Sequence, residues 1–316
     1  MPYVTRRPVK LLVNCCLLMM LTTQITFADN DYVVTEAAEG IYFHQGINED
    51  ATKENKGEIA NVGFIIGDDC IAVVDSGGSY LEGKSLLAAI RQKSDLPICY
   101  VINTHVHPDH VLGNAAFKDT KATFVGSAKL PDAMTAREDF YETKFKEILG
   151  SAYDHAEFIP PSQLVEVGES LTLDLGNRKL TLIAFPTAHT DHDLVVIDNN
   201  TKTLWTGDLL FVDRIPALDG SINGWLNAIA ELNRMDFTTV IPGHGPVRHK
   251  DWKVALEKEK DYFMLIRQQI RAIISEMGTI NQATDTVGLS EKNKWLMFDE
   301  YHKRNVTSAF TELEWE

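Results

Sequence analysis

Ile98-Cys99-Tyr100-Val101-Ile102-Asn103-Thr104-His105-Val106-His107-Pro108-Asp109-His110 is an apolar run that stops abruptly, with four metal-capable side chains in the last six positions. Pro97 punctuates its start, and the β-branched and aromatic residues Ile98, Tyr100, Val101 and Ile102 predict a buried strand. His105 and His107 then stand two apart in an extended segment, so both imidazoles point toward one ion. Pro108 turns the chain, and Asp109 and His110 open the next helix, where neighbouring side chains diverge by about 100°. That divergence directs them to a second ion rather than the first. Surface histidines and capped turns are common singly, but three histidines and an aspartate at the end of one apolar strand read as a metal site.

The pattern His105-x-His107-x-Asp109-His110 resembles the signature of the metallo-β-lactamase-fold hydrolases. Such a family member carries a later histidine, a bridging aspartate and a final histidine, each at a strand end. This chain offers His189 in Phe185-Pro-Thr-Ala-His-Thr-Asp191, Asp208 in Leu204-Trp-Thr-Gly-Asp-Leu-Leu-Phe211, and His244 in Val240-Ile-Pro-Gly-His-Gly-Pro246. Gly243 and Gly245 permit a tight turn around the last. The resemblance spans roughly residues 32–250. It implies an α/β fold, a four-layer αββα sandwich, closed by a C-terminal helical extension.

The same resemblance implies two ions. His105, His107 and His189 make a three-nitrogen site with a fourth position open, the arrangement a catalytic zinc uses. Asp109, His110 and His244 make the second site, Asp208 bridges both, and Asp109 also carries the catalytic role. Two cations lower the pKa of a shared water from ~15.7 to near neutrality, which predicts hydrolysis of a small ester, thioester, lactone or amide without a covalent enzyme intermediate. Zinc is the expected metal, although iron or manganese suits the same ligand types; a diiron redox relative would carry glutamate in place of His107. Asp208 stands where the best-known zinc β-lactamases place a cysteine, which counts against efficient β-lactam hydrolysis. Asp75 resembles the family's outer carboxylate, which would orient a ligating histidine; helix capping is its other reading. His192 is either an outer partner or substrate-facing, and is not assigned as a ligand. Arg214 could hold a substrate carboxylate through its planar fork or form a structural salt bridge with Asp213 or a neighbour.

Within the superfamily, Gly57-Glu-Ile-Ala-Asn-Val-Gly-Phe64, Val74-Asp-Ser-Gly-Gly-Ser79, Val101 through Asn114 and Asp213-Arg-Ile-Pro-Ala-Leu-Asp-Gly220 resemble the exported quinoprotein-associated, SoxH-like zinc metallohydrolases. The implied setting is the periplasm, beside a quinoprotein dehydrogenase or sulfur-oxidation system. A β-lactamase proper and a non-catalytic metal-binding accessory of such a system are the alternatives.

Residues 1–28 combine Arg6, Arg7 and Lys10 with the apolar stretch Leu11–Leu21 and the ending Thr26-Phe27-Ala28, and read as a cleavable signal peptide of a periplasmic or secreted protein. The apolar stretch is shorter than the ~20 residues a membrane helix needs, and Asn14 interrupts it. Thr5-Arg6-Arg7 resembles a twin-arginine signal, but the following residues fit poorly. Cleavage removes three of 30 basic and none of 45 acidic residues, leaving a net charge of −18. So acidic a surface disfavours nucleic acid as a partner and leaves a small-molecule substrate. Residues 29–250 are expected to form one catalytic domain, with 251–316 packed on it as helices.

Of four cysteines, Cys70 and Cys99 survive cleavage, each near the start of an apolar strand. Adjacent parallel strands in an oxidising compartment would permit a disulfide, but two separate buried thiols are expected. Asn61–Ile66 and Ile71–Asp75 predict a hairpin, Ser85–Arg91 a helix, and 131–150 a helix with Phe140, Tyr141, Phe145, Ile148 and Leu149 on one face, either lid or core packing. Leu164–Val167, Leu171–Leu175 and Leu180–Phe185 are expected to begin a second sheet.

Overall fold

The structure is a computed structural model that describes residues 1–3 and 32–316; the predicted signal peptide lies outside the described residues beyond its first three. Among the described residues no helix is long and apolar enough to cross a membrane.

The chain runs β1 (Thr35–Ala38), β2 (Ile41–His44), β3 (Val62–Ile66), β4 (Ile71–Val74), α1 (Tyr80–Lys93), β5 (Ile98–Ile102), α2 (Pro108–Val111), β6 (Thr123–Ser127), α3 (Leu130–Leu149) and β7 (Gln163–Val165). It continues through β8 (Ser170–Asp174), β9 (Lys179–Ala184), β10 (Leu194–Asp198), β11 (Thr203–Phe211), α4 (Ile222–Leu232), β12 (Thr239–His244), α5 (Trp252–Ser275), α6 (Ile280–Thr286) and α7 (Phe298–Leu313). One sheet has the order β1-β2-β3-β4-β5-β6-β7 and the other β12-β11-β10-β9-β8. Strands β4 to β7 are mutually parallel, and β11 is parallel to β12. Their carboxyl ends therefore deliver successive loops to one edge, where β5, β11 and β12 give way to or contain His105, Asp208 and His244.

Four layers follow from which faces are apolar. Ile65, Val74, Ile102 and Val125 of the first sheet meet Leu182, Val196, Trp205 and Ile241 of the second in the inner core. The opposite face of the first sheet, with Phe64, Val73 and Val101, is covered by Leu86 and Ile90 of α1. Trp225 of α4, Phe263 and Ile266 of α5, and Val306 and Phe310 of α7 cover the second sheet. All nine residues of β11 are buried, as befits a central strand with both faces covered. This is the expected αββα order with helices at the C-terminal end.

Local chemistry fixes the helix starts. Ser79 Oγ accepts from Glu82 N at 3.1 Å while Glu82 Oε2 accepts from Gly78 N at 2.6 Å, a reciprocal cap that starts α1 directly after the strand end at Asp75.

Three expectations are corrected. The segment predicted at 164–167 to open the second sheet instead ends the first: β7 pairs in parallel with β6, and a single bridge from Val167 to Ala184 marks the crossing between sheets. The backbone groups of β7 are already satisfied by β6, so the chain changes sheet only as it reaches Gly168, at φ +82°. Phe140 does not share the packed face of α3 and is 62% exposed, whereas Tyr141 is buried, stacked with Phe158 and edge-on to Phe145. Cys70 and Cys99 are joined in a disulfide with Cα atoms 5.8 Å apart, not held as separate thiols. Parallel pairing of β4 with β5 puts both residues at the same strand ends, opposite the edge that carries His105.

Candidate metal centre

Of the seven nominated ligands, His105 and His107 lie in the turn after β5, Asp109 and His110 in α2, Asp208 within β11, His244 at the end of β12, and His189 on the loop between β9 and β10. His105 Nε2 and His189 Nε2 each lie 3.0 Å from His107 Nδ1, so three imidazole nitrogens converge on one point. Asp208 Oδ2 lies 3.4 Å from His189 Nε2 and 3.7 Å from His105 Nε2. Asp109, His110 and His244 form a second group, with Asp109 Oδ2 at 3.3 Å from His244 Nε2 and 3.7 Å from His110 Nε2. Asp208 faces this group too, Oδ1 at 3.2 Å from His110 Nε2 and Oδ2 at 3.4 Å from His244 Nε2. It thus stands between the two groups, as the sequence predicted.

Each of the five imidazoles finds an acceptor for its outer nitrogen. His110 Nδ1–H donates to Asp75 Oδ2 at 2.8 Å, His107 Nε2–H to Asp219 Oδ2 at 3.3 Å, and His189 Nδ1–H to the Ala217 carbonyl at 2.6 Å. His244 Nδ1 lies 2.8 Å from the Ile59 carbonyl. His105 Nδ1–H donates to Thr104 Oγ1 at 3.0 Å, whose own proton goes to Asp75 Oδ2 at 2.8 Å. Carboxylates and carbonyls cannot donate, so on His105, His107, His110 and His189 the protons belong on the outer nitrogens and four lone pairs face inward, whereas at His244 Nδ1 the donor-only Arg214 Nη1, 3.0 Å away, competes with the Ile59 carbonyl. Buried His110 Nε2 and Asp208 Oδ1 have no hydrogen-bond partner, a costly state for buried polar atoms. Inward lone pairs, carboxylates and orphaned atoms together fit bound cations.

Backbone choices make this close approach possible. Asp75 sits at φ +54°, a conformation Asp tolerates better than most residues, which lets its carboxylate also accept from Thr104 N at 2.8 Å. Gly243 is required because a Cβ there would overlap Asp208 Oδ1.

Electrostatics without bound cations reflects the crowding. Burial pushes His105 well below the usual imidazole range and His189 down to about 3. Burial acts the same way on His110, but Asp208, Asp75 and Asp109 outweigh it and raise that imidazole. Against burial, His244 and His110 hold the Asp208 carboxyl well below its ordinary value, and His110 and His244 do the same for Asp109. Asp219 is brought to about 2, with its contact to His107 outweighing burial.

Two nominated neighbours have different surroundings from those expected. Arg214 is 3% exposed and makes no bridge with Asp213; its Nη2 donates to Tyr301 Oη at 3.0 Å and its Nη1 lies 3.0 Å from His244 Nδ1. Asp213 turns outward at φ +65° to Arg248 because backbone bonds to Leu296 fix residues 213–215. Buried and so engaged, Arg214 is not free at the mouth to hold a substrate carboxylate. His192 is buried beside the cluster but outside both ligand groups; its Nδ1 contacts Asp191 Oδ1 at 2.7 Å and its Nε2 has no partner. Burial holds it down to about 4.

Sequence reasoning missed Asp219, Arg137 and Tyr301. Asp219 was quoted only inside the Asp213–Gly220 motif, and its adjacency to His107 comes from a loop fold that local pattern does not encode. Tyr301 of α7 bonds Asp50 Oδ1 at 2.7 Å, joining the helical end to the loop at 48–58.

Comparison with known proteins agrees with this architecture. The family profile described as the metallo-beta-lactamase superfamily matches residues 55–244. A metallo-beta-lactamase from Pontibacter korlensis superposes with a TM-score of 0.59 at 18% identity, covering 73% of this chain and 98% of that one. A double mutant of the sec-alkyl sulfatase PisA1 superposes with a TM-score of 0.69 at 14% identity, over 89% of this chain and 50% of that one. A linear primary-alkylsulfatase from Pseudomonas sp. (strain ATCC 19151) is 35% identical over 60 residues, which are 19% of this chain and 11% of that protein.

Proposed function

The chain belongs to the metallo-beta-lactamase superfamily, and on that premise we propose that it is a hydrolase dependent on two metal ions, acting on a small ester, thioester, lactone or amide. The observation that carries the reading is the convergence of five imidazoles and two carboxylates, with the protons of His105, His107, His110 and His189 drawn outward by Thr104, Asp219, Asp75 and Ala217. In this reading His105, His107, His189 and Asp208 would hold one ion and Asp109, His110 and His244, with Asp208 beside them, the other. Zinc is the proposed metal, on the nitrogen-rich donor set; iron and manganese are the competitors. When bound, divalent ions would supply Lewis-acid polarisation of the scissile oxygen and would lower the pKa of a bound water to about 7.

The protein's own residues do the rest. Asp75 and Asp219 hold the ligand rings in one tautomer and orientation. Phe211 stacks on His244 with centroids 5.0 Å apart and Trp225 abuts His189 at 5.2 Å, so aromatic rings back those two imidazoles. His107 and Asp109, whose side chains are 19% and 15% exposed, mark the side open to solvent. Asp109 stays ionised and accepts a hydrogen bond from the attacking water, orienting it toward substrate.

Elemental analysis of the purified protein, with a panel of ester, thioester, lactone, cephalosporin and alkyl sulfate substrates, tests this. Alkyl sulfates join the panel because alkylsulfatases are among the relatives. About two zinc ions per chain with turnover of one class, lost in His105→Ala, is the expected result; metal-loaded protein inert to all classes would favour the accessory reading. Tightly bound iron would overturn the zinc assignment.

We also infer export to an oxidising compartment, a reading the disulfide supports. Partnership with a quinoprotein dehydrogenase rests on motif resemblance and is tested by co-purification from periplasmic extract.

A further inference from the structure

We propose that Arg137 is a specificity-determining residue that receives an oxyanion group carried by the substrate, an inference that rests on the hydrolase reading of the adjoining metal centre. Arg137 projects from α3 at the mouth, its side chain 33% exposed. Its single ion pair among the described residues is with Asp219 Oδ2, at 4.0 Å, and it makes no hydrogen bond there. That carboxylate oxygen is already engaged 3.3 Å from His107 Nε2. A partly buried guanidinium therefore stands one carboxylate away from the first ligand group with all five of its donors unsatisfied by protein.

The surroundings point the same way. Burial, with Asp219 and Asp109, pushes the Tyr141 hydroxyl up, and Arg137 of α3 and Arg304 of α7 oppose them, so two cations from separate helices stand beside the mouth of a chain whose formal charge is −15. Arg137 and His107 also act on His192, whose buried Nε2 lacks a partner. Arg214, the other arginine near the cluster, is sealed behind His244. A planar fork at the entrance to a metal site, in an otherwise acidic protein, matches a carboxylate or sulfate held beside the scissile bond.

The test compares kcat/KM of the metal-loaded full chain for mono-4-nitrophenyl succinate, which bears a carboxylate, and for its uncharged methyl ester. Arg137→Gln is expected to lower the charged-to-neutral ratio by about tenfold or more, since losing a charge-assisted hydrogen bond is worth at least that factor. Arg137→Lys should recover part of it by keeping the charge but not the fork. Because the ratio is internal to each variant, a loss of folded or metal-loaded protein cancels; an unchanged ratio in Arg137→Gln overturns the proposal. Calorimetric titration of the same proteins with succinate and with inorganic sulfate identifies the preferred oxyanion, and equal affinities in wild type and Arg137→Gln for both would also overturn it. If neither ester is turned over by metal-loaded protein, the hydrolase reading fails for this class while the titration still decides the role of Arg137.

Discussion

Asp75 Oδ2 accepts the His110 Nδ1 proton at 2.8 Å, and the same oxygen accepts from Thr104 Oγ1, which in turn orients His105. One carboxylate thus orders a histidine from each of the two ligand groups. Asp75→Asn preserves the size and the tolerance of positive φ but removes the charge. Metal affinity should fall about 10–100-fold, measured by chelator competition, with the circular dichroism of the apoprotein unchanged. Equal affinities would show that Asp75 serves only the backbone at Thr104.

Chelation should abolish turnover and lower the thermal midpoint, and both should return on adding zinc. At free metal a hundredfold above Kd, binding to the native state alone stabilises it by about 2.7 kcal/mol. A midpoint indifferent to chelator would mean that these residues do not hold metal in the folded protein.

Glu259 of α5 is fully buried, with Oε1 accepting from Phe211 N at 3.0 Å and Oε2 unpartnered. Burial, with Asp208 adding to it, pushes its carboxyl well above the ordinary range. The native state therefore keeps this proton to higher pH than the unfolded chain, and stability from this group falls as pH rises from the unfolded value of about 4.3 toward the raised one. Glu259→Gln should remove that slope and raise the midpoint at neutral pH by roughly 2–4 °C. Calorimetry at several pH values checks this; a gap between variant and wild type that does not widen with pH would contradict it.

Replacing both Cys70 and Cys99 with alanine opens a cross-link spanning 29 positions and should cost roughly 3–4 kcal/mol by loop-closure entropy. Denaturant unfolding measures the loss. Because the bridge lies at the strand ends remote from His105, kcat of the folded, metal-loaded variant should stay within about twofold.

The His105–His110 cluster was legible locally, because a strand stops before it and Pro108 turns the chain, whereas His189, Asp208 and His244 and the four layers were expected from the family resemblance. His244 does end its strand, but Asp208 lies inside β11. What escaped notice depends on docking between distant segments: Asp219 meets His107 across 112 positions and Tyr301 meets Asp50 across 251. No periodicity or turn signal encodes such distances. The surroundings of Arg214 depend in the same way on a distant segment, through the bridge from its loop to Leu296. The parallel pairing of β4 and β5 brings Cys70 and Cys99 together, against the general preference of cysteine for burial as a free thiol.

The loop from Asp213 to Asn223 is held from α7: Asn305 bonds Leu218 N and Pro216 O, and Glu312 bonds Ser221 Oγ, Ile222 N and Asn223. That attachment makes the place of Asp219 beside His107 depend on contacts made 87 to 91 positions further along the chain, so the mouth of the site is shaped by the helix farthest from it in sequence.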